Sequence, residues 1–352
     1  MTVLHRQSLV AYAAPLSETT SECPQPRDTE VLVRITRCGV CHSDLHLQDG
    51  YFRLGDEKKL DVRAGRTLPF TLGHEIAGTV QALGGSAQGV NIGAAVAVYP
   101  WIGCGECKAC LRGEENICNA PRHLGVNVDG GFASHVLVPH PRYLLDASGL
   151  AAERAAILMC SGLTAYAALR RVEREASRGP LLLVGMGGVG MMGLALAKAI
   201  FEEAPFVADI DADKREAAVA AGAAAAFDPA NDAARRALLA RSGGGVYGAC
   251  DFAGSTQSLA FATGALAKGG KVVVTGLLGG TLSMPSAMLA LKAIAIEGTQ
   301  TGTLAQAREL LALSRKPSFT FPPIRERPMA EAQAALETLR AGNVVGRVVL
   351  AA

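Results

Sequence analysis

The sequence predicts an α/β protein in which a doubly wound parallel Rossmann domain is inserted into a β-rich domain. Three observations predict it. A short apolar run at 181–184 leads into Gly185-Met186-Gly187-Gly188-Val189-Gly190 and then into an apolar helical stretch. From about residue 150 onward, apolar runs at 181–184, 206–208, 249–252 and 271–275 alternate with helix-forming, Ala-rich stretches at 189–203, 213–221, 231–241 and 256–267. Strand–helix alternation of this kind is the mark of parallel βαβ units. The first 150 residues are different. There, β-branched or apolar runs at 31–36, 76–83, 94–99 and 132–138 are separated by turn residues, which reads as short strands joined by short loops.

After residue 300 the pattern gives a helix at 304–314, a Pro-rich extended piece at 317–328, a helix at 330–341 and a last strand at 346–350. The expected division is a β-rich domain from 1–149, a nucleotide-type domain from 150–297, and a return to the first domain over 298–352. The alanines at 223–226 are expected to be a helix end or loop, and the mixed charges at 170–178 a solvated helix end.

Composition narrows the function classes. Hydrophobic residues make up 49 % and charged residues 19 % of the 352, which suits a globular chain long enough for two cores. The formal net charge is +2 with no basic stripe, so neither a nucleic-acid nor a membrane-surface partner is expected. The segment 180–197 is uncharged, but it holds five glycines and reads as a buried strand, turn and helix. The first ten residues carry His5 and Arg6 and no long apolar core, unlike a signal peptide. There are nine cysteines, four of them clustered. In a chain of this size that favours metal over disulfides and a reducing, cytoplasmic setting.

The glycine pattern is G-x-G-x-x-G between a strand and a helix. Gly185, Gly187, Gly188 and Gly190 permit a tight turn, close backbone approach to a pyrophosphate and close helix–strand packing, and the helix start offers free N–H groups to phosphate. The next strand ends at Asp209, nineteen residues after Gly190. A carboxylate there accepts hydrogen bonds from both ribose hydroxyls and repels a 2′-phosphate, so NAD is expected over NADP. Asp211 follows closely and could share the role.

Cys104, Cys107, Cys110 and Cys118 follow C-x2-C-x2-C-x7-C. Four thiolates close a tetrahedron around zinc and leave no position for water, as in a structural site. The C-x2-C-x2-C part of this pattern also occurs around iron–sulfur clusters. A fourth cysteine close behind, in a dehydrogenase-like chain, favours zinc.

A second constellation is dense in ligand types: Cys41-His42-Ser43-Asp44-Leu45-His46, then Gly73-His74-Glu75, then the distant Cys160. Cys38 and Cys41 also form C-x2-C, and local spacing does not choose between them. Ser43 followed by Asp44 also suits a helix N-cap.

Taken together, GVCHSDLH (39–46), GHE (73–75), the CGECKAC…C loop (104–118), CSGLTAY (160–166), GMGGVG (185–190) and GRVVL (346–350) resemble the zinc-dependent medium-chain alcohol dehydrogenases, in family order across nearly the whole chain. The resemblance implies a GroES-like catalytic domain beside the Rossmann domain, two zinc ions per chain, NAD, and reversible oxidation of a primary or secondary alcohol to an aldehyde or ketone. It implies that Cys41, His74 and Cys160 hold the catalytic zinc. Glu75 is then just behind the metal, Asp44 orients His74, and Ser43 and His46 relay the alcohol proton. Cys38, Cys23 and Cys250 are left as structural.

By the same resemblance, His42 and Arg347 lie near the pyrophosphate, Thr164 and Val189 pack against the nicotinamide, and Lys214 touches the adenosine ribose. Trp101 is either a substrate-pocket wall or core. The charged segment 51–59 is either a lid over the substrate channel or a solvated loop. Family members commonly assemble as homodimers or homotetramers. The rivals are a polyol or amino-alcohol dehydrogenase of the same fold, and a non-enzymatic zinc- and nucleotide-binding sensor.

Overall fold

A computed structural model describes residues 3–352. Six parallel strands stand in the order Ala225–Phe227, Phe206–Ala208, Leu181–Val184, Val246–Asp251, Leu266–Val274 and Ala295–Gly298. The chain starts at the centre with Leu181–Val184, winds outward to one edge, then returns to Val246–Asp251 and winds to the other. The reversal leaves a crevice outside the carboxyl ends of the two central strands, the place where α/β sheets bind ligands. Leu181–Val184 is buried throughout, which explains why it reads as an unbroken apolar run rather than an alternating one.

The second large sheet is mostly antiparallel. Its order is Leu144–Asp146, Ala95–Val98, Glu75–Leu83, Val31–Gly39, Arg347–Ala351 and Ile324–Pro328, with His135–Val138 also paired to Val31–Gly39. Val349 lies opposite Gly39, so the last strand is built into a sheet formed mostly by strands from before residue 150. A smaller sheet joins Ser17–Glu22, Val3–Leu9 and Phe70–Thr71.

A helical rod connects the two parts. It runs as Ala152–Ile157, a π-turn at Leu158–Gly162, and Leu163–Ala176. Its first helix packs on the strands Val31–Gly39 and Glu75–Leu83, and its last on Val246–Asp251. Every residue of the π-turn is buried, Cys160 among them. A π-turn inserts an extra residue into the helix and so re-aims a side chain, a device often found at functional positions.

Some local expectations change. The alanines at 223–226 run into the edge strand Ala225–Phe227, paired with Phe206–Ala208; alanine carries little strand signal, and pairing overrides it. The Pro-rich piece is a strand only over Ile324–Pro328. Segment 170–178 ends the long helix Leu163–Ala176. The stretch 180–197 divides into a four-residue strand and the helix Gly188–Ile200. No helix among the described residues is long and apolar enough to cross a membrane.

Candidate active site and cofactor cleft

The helix His42–Asp49 follows directly on the strand Val31–Gly39, and its N-cap is Cys41, not Ser43. The Asp44 carboxylate accepts from the Cys41 backbone N–H at 2.9 Å and from the Gly73 N–H at 3.2 Å. It therefore ties two distant chain segments together. Asp44 Oδ1 also lies 3.2 Å from His74 Nδ1, with both side chains buried. Gly73 reaches its position with φ +93°, and a Cβ there would collide with Phe132 and Cys38.

The result is a buried trio. Donor atoms of Cys41, His74 and Cys160 all lie within 4.8 Å of one another. His74 Nε2 is buried without a hydrogen-bond partner, a costly arrangement unless something else satisfies the lone pair. The Cys41 thiol is held well below its usual range, first by the Cys160 thiol, against burial, then by His74 and Arg347. Two soft sulfurs and one imidazole suit zinc, and three ligands leave a position for another oxygen. Cys38 is excluded: its Sγ faces the backbone at Gly73 and Gly131 in the core.

Glu75 sits behind this trio and is entirely buried. It accepts from the Ser161 N–H at 3.2 Å and from the Arg347 guanidinium. Burial pushes its carboxyl up to about 7, against the pull of Arg347. Arg347 also donates to the Val40 carbonyl at 3.0 Å. A Cβ on Gly188 would fall 2.7 Å from its Nη1. One guanidinium thus touches both the acid behind the metal ligands and the glycine turn.

That turn has its own logic. Gly185 has φ +86°, and a Cβ on Gly190 would meet the Gly185 carbonyl oxygen at 1.9 Å. A Cβ on Gly187, by contrast, would meet nothing within 4 Å, so this side is open to a ligand. Asp209 is buried; it accepts from the Met186 N–H at 2.6 Å and from the Asp211 N–H at 2.9 Å. Asp211 is committed elsewhere, capping the helix Ala212–Ala220 through the Asp213 and Lys214 N–H groups. Lys214 Nζ is 3.5 Å from Asp211. Val189 and Thr164 are both partly exposed, Thr164 one helical turn past Cys160. His42 is exposed on the first turn of its helix; desolvation in the cleft, then the charges of Arg347, Lys214 and Arg340, lower its pKa against the pull of Cys41.

In the other cysteine group, the sulfurs of Cys104 and Cys110 are 3.9 Å apart, Cys107 and Cys110 3.5 Å, and Cys107 and Cys118 3.8 Å. Zinc–sulfur bonds of about 2.3 Å give tetrahedral sulfur–sulfur edges of about 3.8 Å. Edges of this length enclose one ion, whereas an iron–sulfur cluster would hold the sulfurs farther apart. Backbone N–H groups of Cys104, Cys107 and Ala120 point at the sulfurs at 3.3–3.4 Å, which stabilises thiolate.

Trp101 is buried; its ring centroid lies 5.4 Å from that of His74, and its N–H donates to the Met159 carbonyl of the π-turn at 2.9 Å. It braces two ligand-bearing segments. Segment 51–59 belongs to the hairpin Tyr51–Arg53/Lys59–Asp61. Asp56 accepts from the Thr281 hydroxyl at 3.2 Å, and Arg53 lies flush against Gly279. The hairpin thus reaches across to the nucleotide-type domain. Its Phe52 ring covers His46 at 4.8 Å between centroids.

Residues 27–148 match the alcohol dehydrogenase GroES-like domain family, and residues 188–316 match the zinc-binding dehydrogenase family. The chain is 35 % identical to an NAD-dependent alcohol dehydrogenase of Sulfurisphaera tokodaii over 97 % of this chain and 98 % of that one. The chain belongs to the zinc-dependent medium-chain alcohol dehydrogenase family. Among solved structures, an alcohol dehydrogenase from Aeropyrum pernix superposes with a TM-score of 0.87 at 28 % identity, covering 99 % of this chain and 100 % of that one. A cobalt- and zinc-bound thermostable alcohol dehydrogenase from Pyrobaculum aerophilum does so at 0.85 and 26 %, covering 100 % of each. Zinc and NAD are the family's cofactors, and both groups of ligands described above suit zinc.

Two residues near this site have little or no local signal in the sequence. Met159 enters through its carbonyl, which accepts from Trp101, and His123 through its ring, which meets that of Trp101 at 5.3 Å between centroids. For His123 a faint signal exists: a histidine in the segment just past the four-cysteine loop.

Proposed function

We propose that this chain reversibly oxidises primary or secondary alcohols to aldehydes or ketones with NAD, at a zinc held by Cys41, His74 and Cys160. The carrying observation is the join made by Arg347, which connects the buried acid behind that trio to the glycine turn. Metal ligands and cofactor loop therefore meet in one cleft, between a domain of residues 1–149 and 298–352 and a domain of 150–297. A zinc held by Cys41, His74 and Cys160 would supply Lewis-acid polarisation of an alcohol oxygen, and NAD on the glycine turn would supply the hydride acceptor.

The protein's own groups handle orientation and the proton. Ser43 accepts the alcohol proton; His46, under Phe52, passes it toward solvent. Asp44 fixes the ring of His74, and Glu75 with Arg347 sets the charge behind it. Thr164 and Val189 flank the nicotinamide, while His42, Lys214 and Arg347 face the phosphates and ribose. Trp101 forms one wall of the substrate pocket. Cys104, Cys107, Cys110 and Cys118 hold a second, structural zinc.

Asp44→Ala should loosen His74 and free the Cys41 N–H together, weakening zinc affinity about 10- to 100-fold, as is usual for such supporting carboxylates. Chelator titration measures it, and unchanged affinity would show that His74 is oriented without Asp44.

Asp209 has two duties, since its carboxylate also holds Met186 in the glycine turn. Asp209→Asn keeps an acceptor for the turn and removes the charge. NAD affinity should fall and the NADP/NAD ratio of kcat/KM should rise roughly tenfold, about 1.4 kcal/mol; an unchanged ratio would rule out Asp209 as the discriminating group.

A homo-oligomer is the proposed assembly. Among the described residues the strand Ala295–Gly298 is an unpaired sheet edge, and Leu282, Leu289 and Leu291, which precede it in sequence, are exposed; such edges and exposed apolar residues invite a second copy. Light scattering of the intact chain reads its size, and a monomer would end this idea. None of the nine cysteines is paired in a disulfide, which suits a reducing, cytoplasmic setting.

The whole reading is tested by zinc content per chain together with NAD reduction over aliphatic, aromatic and cyclic alcohols. Two zincs with chelator-sensitive turnover support it. Two zincs and NAD binding without turnover would favour a sensor instead.

A further inference from the structure

We propose that the hairpin 51–61 is a latch over the cofactor cleft: docked on segment 279–281 it retains the dinucleotide, and its lifting sets how fast the dinucleotide leaves. This rests on the NAD-using reading above and adds to it Asp56 and Thr281 as the residues that position the latch.

The two ends of the hairpin belong to different parts of the molecule. At its base, Gly50 takes φ +84° and ends the helix His42–Asp49, so the hairpin leaves directly from the helix that bears His42 and His46. At its tip, Asp56 accepts from the Thr281 hydroxyl at 3.2 Å. A Cβ on Gly55 would collide with that hydroxyl, and one on Gly279 with Arg53; the two surfaces meet at bare glycines. Segment 279–281 lies past the carboxyl end of the strand Leu266–Val274 and is itself fixed to the crevice. Leu278 N–H donates to the Ala253 carbonyl at 3.1 Å, Gly280 N–H to the Gly254 carbonyl at 2.8 Å, and Thr281 N–H to the Thr256 hydroxyl at 2.9 Å. Ala253 in turn packs against the glycine turn, where a Cβ on Gly185 would meet it at 2.9 Å. The hairpin therefore runs from the helix of His42 to the rim beside the glycine turn. A dinucleotide in the crevice outside the carboxyl ends of the strands leaves past this strap.

The strap is also lightly held, as a moving part must be. Each strand has three residues, and 53, 54 and 56–61 are exposed. A two-stranded ribbon with so little buried apolar surface opens at low cost. Its own bonds let it move as a unit: Leu54 N–H donates to the Lys58 carbonyl and Lys58 N–H to the Gly55 carbonyl, both at 2.9 Å, and the Lys59 ammonium sits 4.1 Å over the Tyr51 ring. Asp56 and Glu57 have φ +46° and +62°, left-handed conformations that persist where the surroundings enforce them. Among the described residues, Asp56 to Thr281 is the one side-chain hydrogen bond that ties this tip down. By linkage, a bound dinucleotide holds the hairpin down as strongly as the hairpin holds the dinucleotide.

The test is the dissociation rate of NADH, read by stopped-flow fluorescence on the zinc-loaded protein. Thr281→Val removes the donor. Asp56→Gly removes the acceptor and suits the left-handed φ. Each should speed release about threefold, the usual effect of one hydrogen bond. The double variant should also release about threefold faster, not roughly ninefold, because both changes break one contact. Asp56→Asn, which keeps an acceptor, should release NADH like the wild type. In parallel, trypsin cleavage after Lys58 and Lys59 of the wild type should slow on adding NADH. Wild-type release rates in folded Thr281→Val and Asp56→Gly proteins overturn the proposal, as do effects that simply add in the double variant. Should the variants not fold, cleavage at Lys58 and Lys59 that is indifferent to NADH overturns it instead. A wild type that turns over no alcohol but binds NADH removes the alcohol reading alone, and its release rates still decide the latch; one that binds no NADH overturns both.

Discussion

Cys41→Ser should bind NADH like the wild type and turn over alcohol at least about a thousandfold more slowly. Cys41 contributes one of only three donor atoms in the buried trio, and serine replaces a soft thiolate with a weakly acidic hydroxyl. Its neighbours then become uncompensated: His74 Nε2 has no other partner, and Cys160 loses the thiol beside it. Lewis-acid stabilisation is worth several kcal/mol, and each 1.4 kcal/mol is about tenfold in rate. The glycine turn, Asp209 and the helix Gly188–Ile200 are untouched, which is why cofactor binding should survive. Fluorescence titration of NADH alongside zinc analysis and turnover checks the result. Retained activity with one fewer zinc would remove Cys41 from the ligand set.

Removing Cys107 should do the opposite, lowering stability far more than chemistry. Cys107→Ser opens a tetrahedron whose sulfurs lie 3.5–3.9 Å apart in a loop with little core of its own. Among the side chains of that loop, Glu115 bonds Gly103 and Tyr143, and Asn116 donates to the Gln300 carbonyl at 2.7 Å. These contacts cross to segments far away in sequence, so unravelling would spread. Loss of a native crosslink typically costs about 2–5 kcal/mol, and each kcal/mol lowers the melting temperature of a large chain by about 2–4 °C. A fall of roughly 10 °C with one zinc lost is expected, with kcat per folded molecule changed less than threefold at low temperature. A variant that melts like the wild type with two zincs would show that the four cysteines are not a closed metal site.

How much of this was legible beforehand follows from the range of each signal. The glycine turn, the four clustered cysteines and the strand–helix alternation are local patterns, set by steric needs and ligand spacing over a few residues. The edge strand Ala225–Phe227 was hidden because alanine prefers no particular partner, and pairing with Phe206–Ala208 supplied what propensity lacked. Ser43 resembled an N-cap, yet the cap is Cys41, two residues earlier, where the Asp44 side chain reaches back to the Cys41 N–H.

By itself, then, the sequence determined a Rossmann-type sheet with an acidic residue at the right spacing, a four-cysteine loop and a pool of further ligands. Only the tertiary structure decided among the members of that pool. The strand Val31–Gly39 buries Cys38 against Gly73 and Gly131, while Cys41, one residue past Val40, meets His74 and Cys160. It also gave Asp209 its second duty in the glycine turn, docked the 51–61 hairpin across the cleft, and brought Arg347 from the far end of the chain to Glu75. The physical reason is distance along the chain. Spacing rules act within a turn or two, but which of two equivalent thiols faces a metal depends on strand pairing and burial between segments tens to hundreds of residues apart.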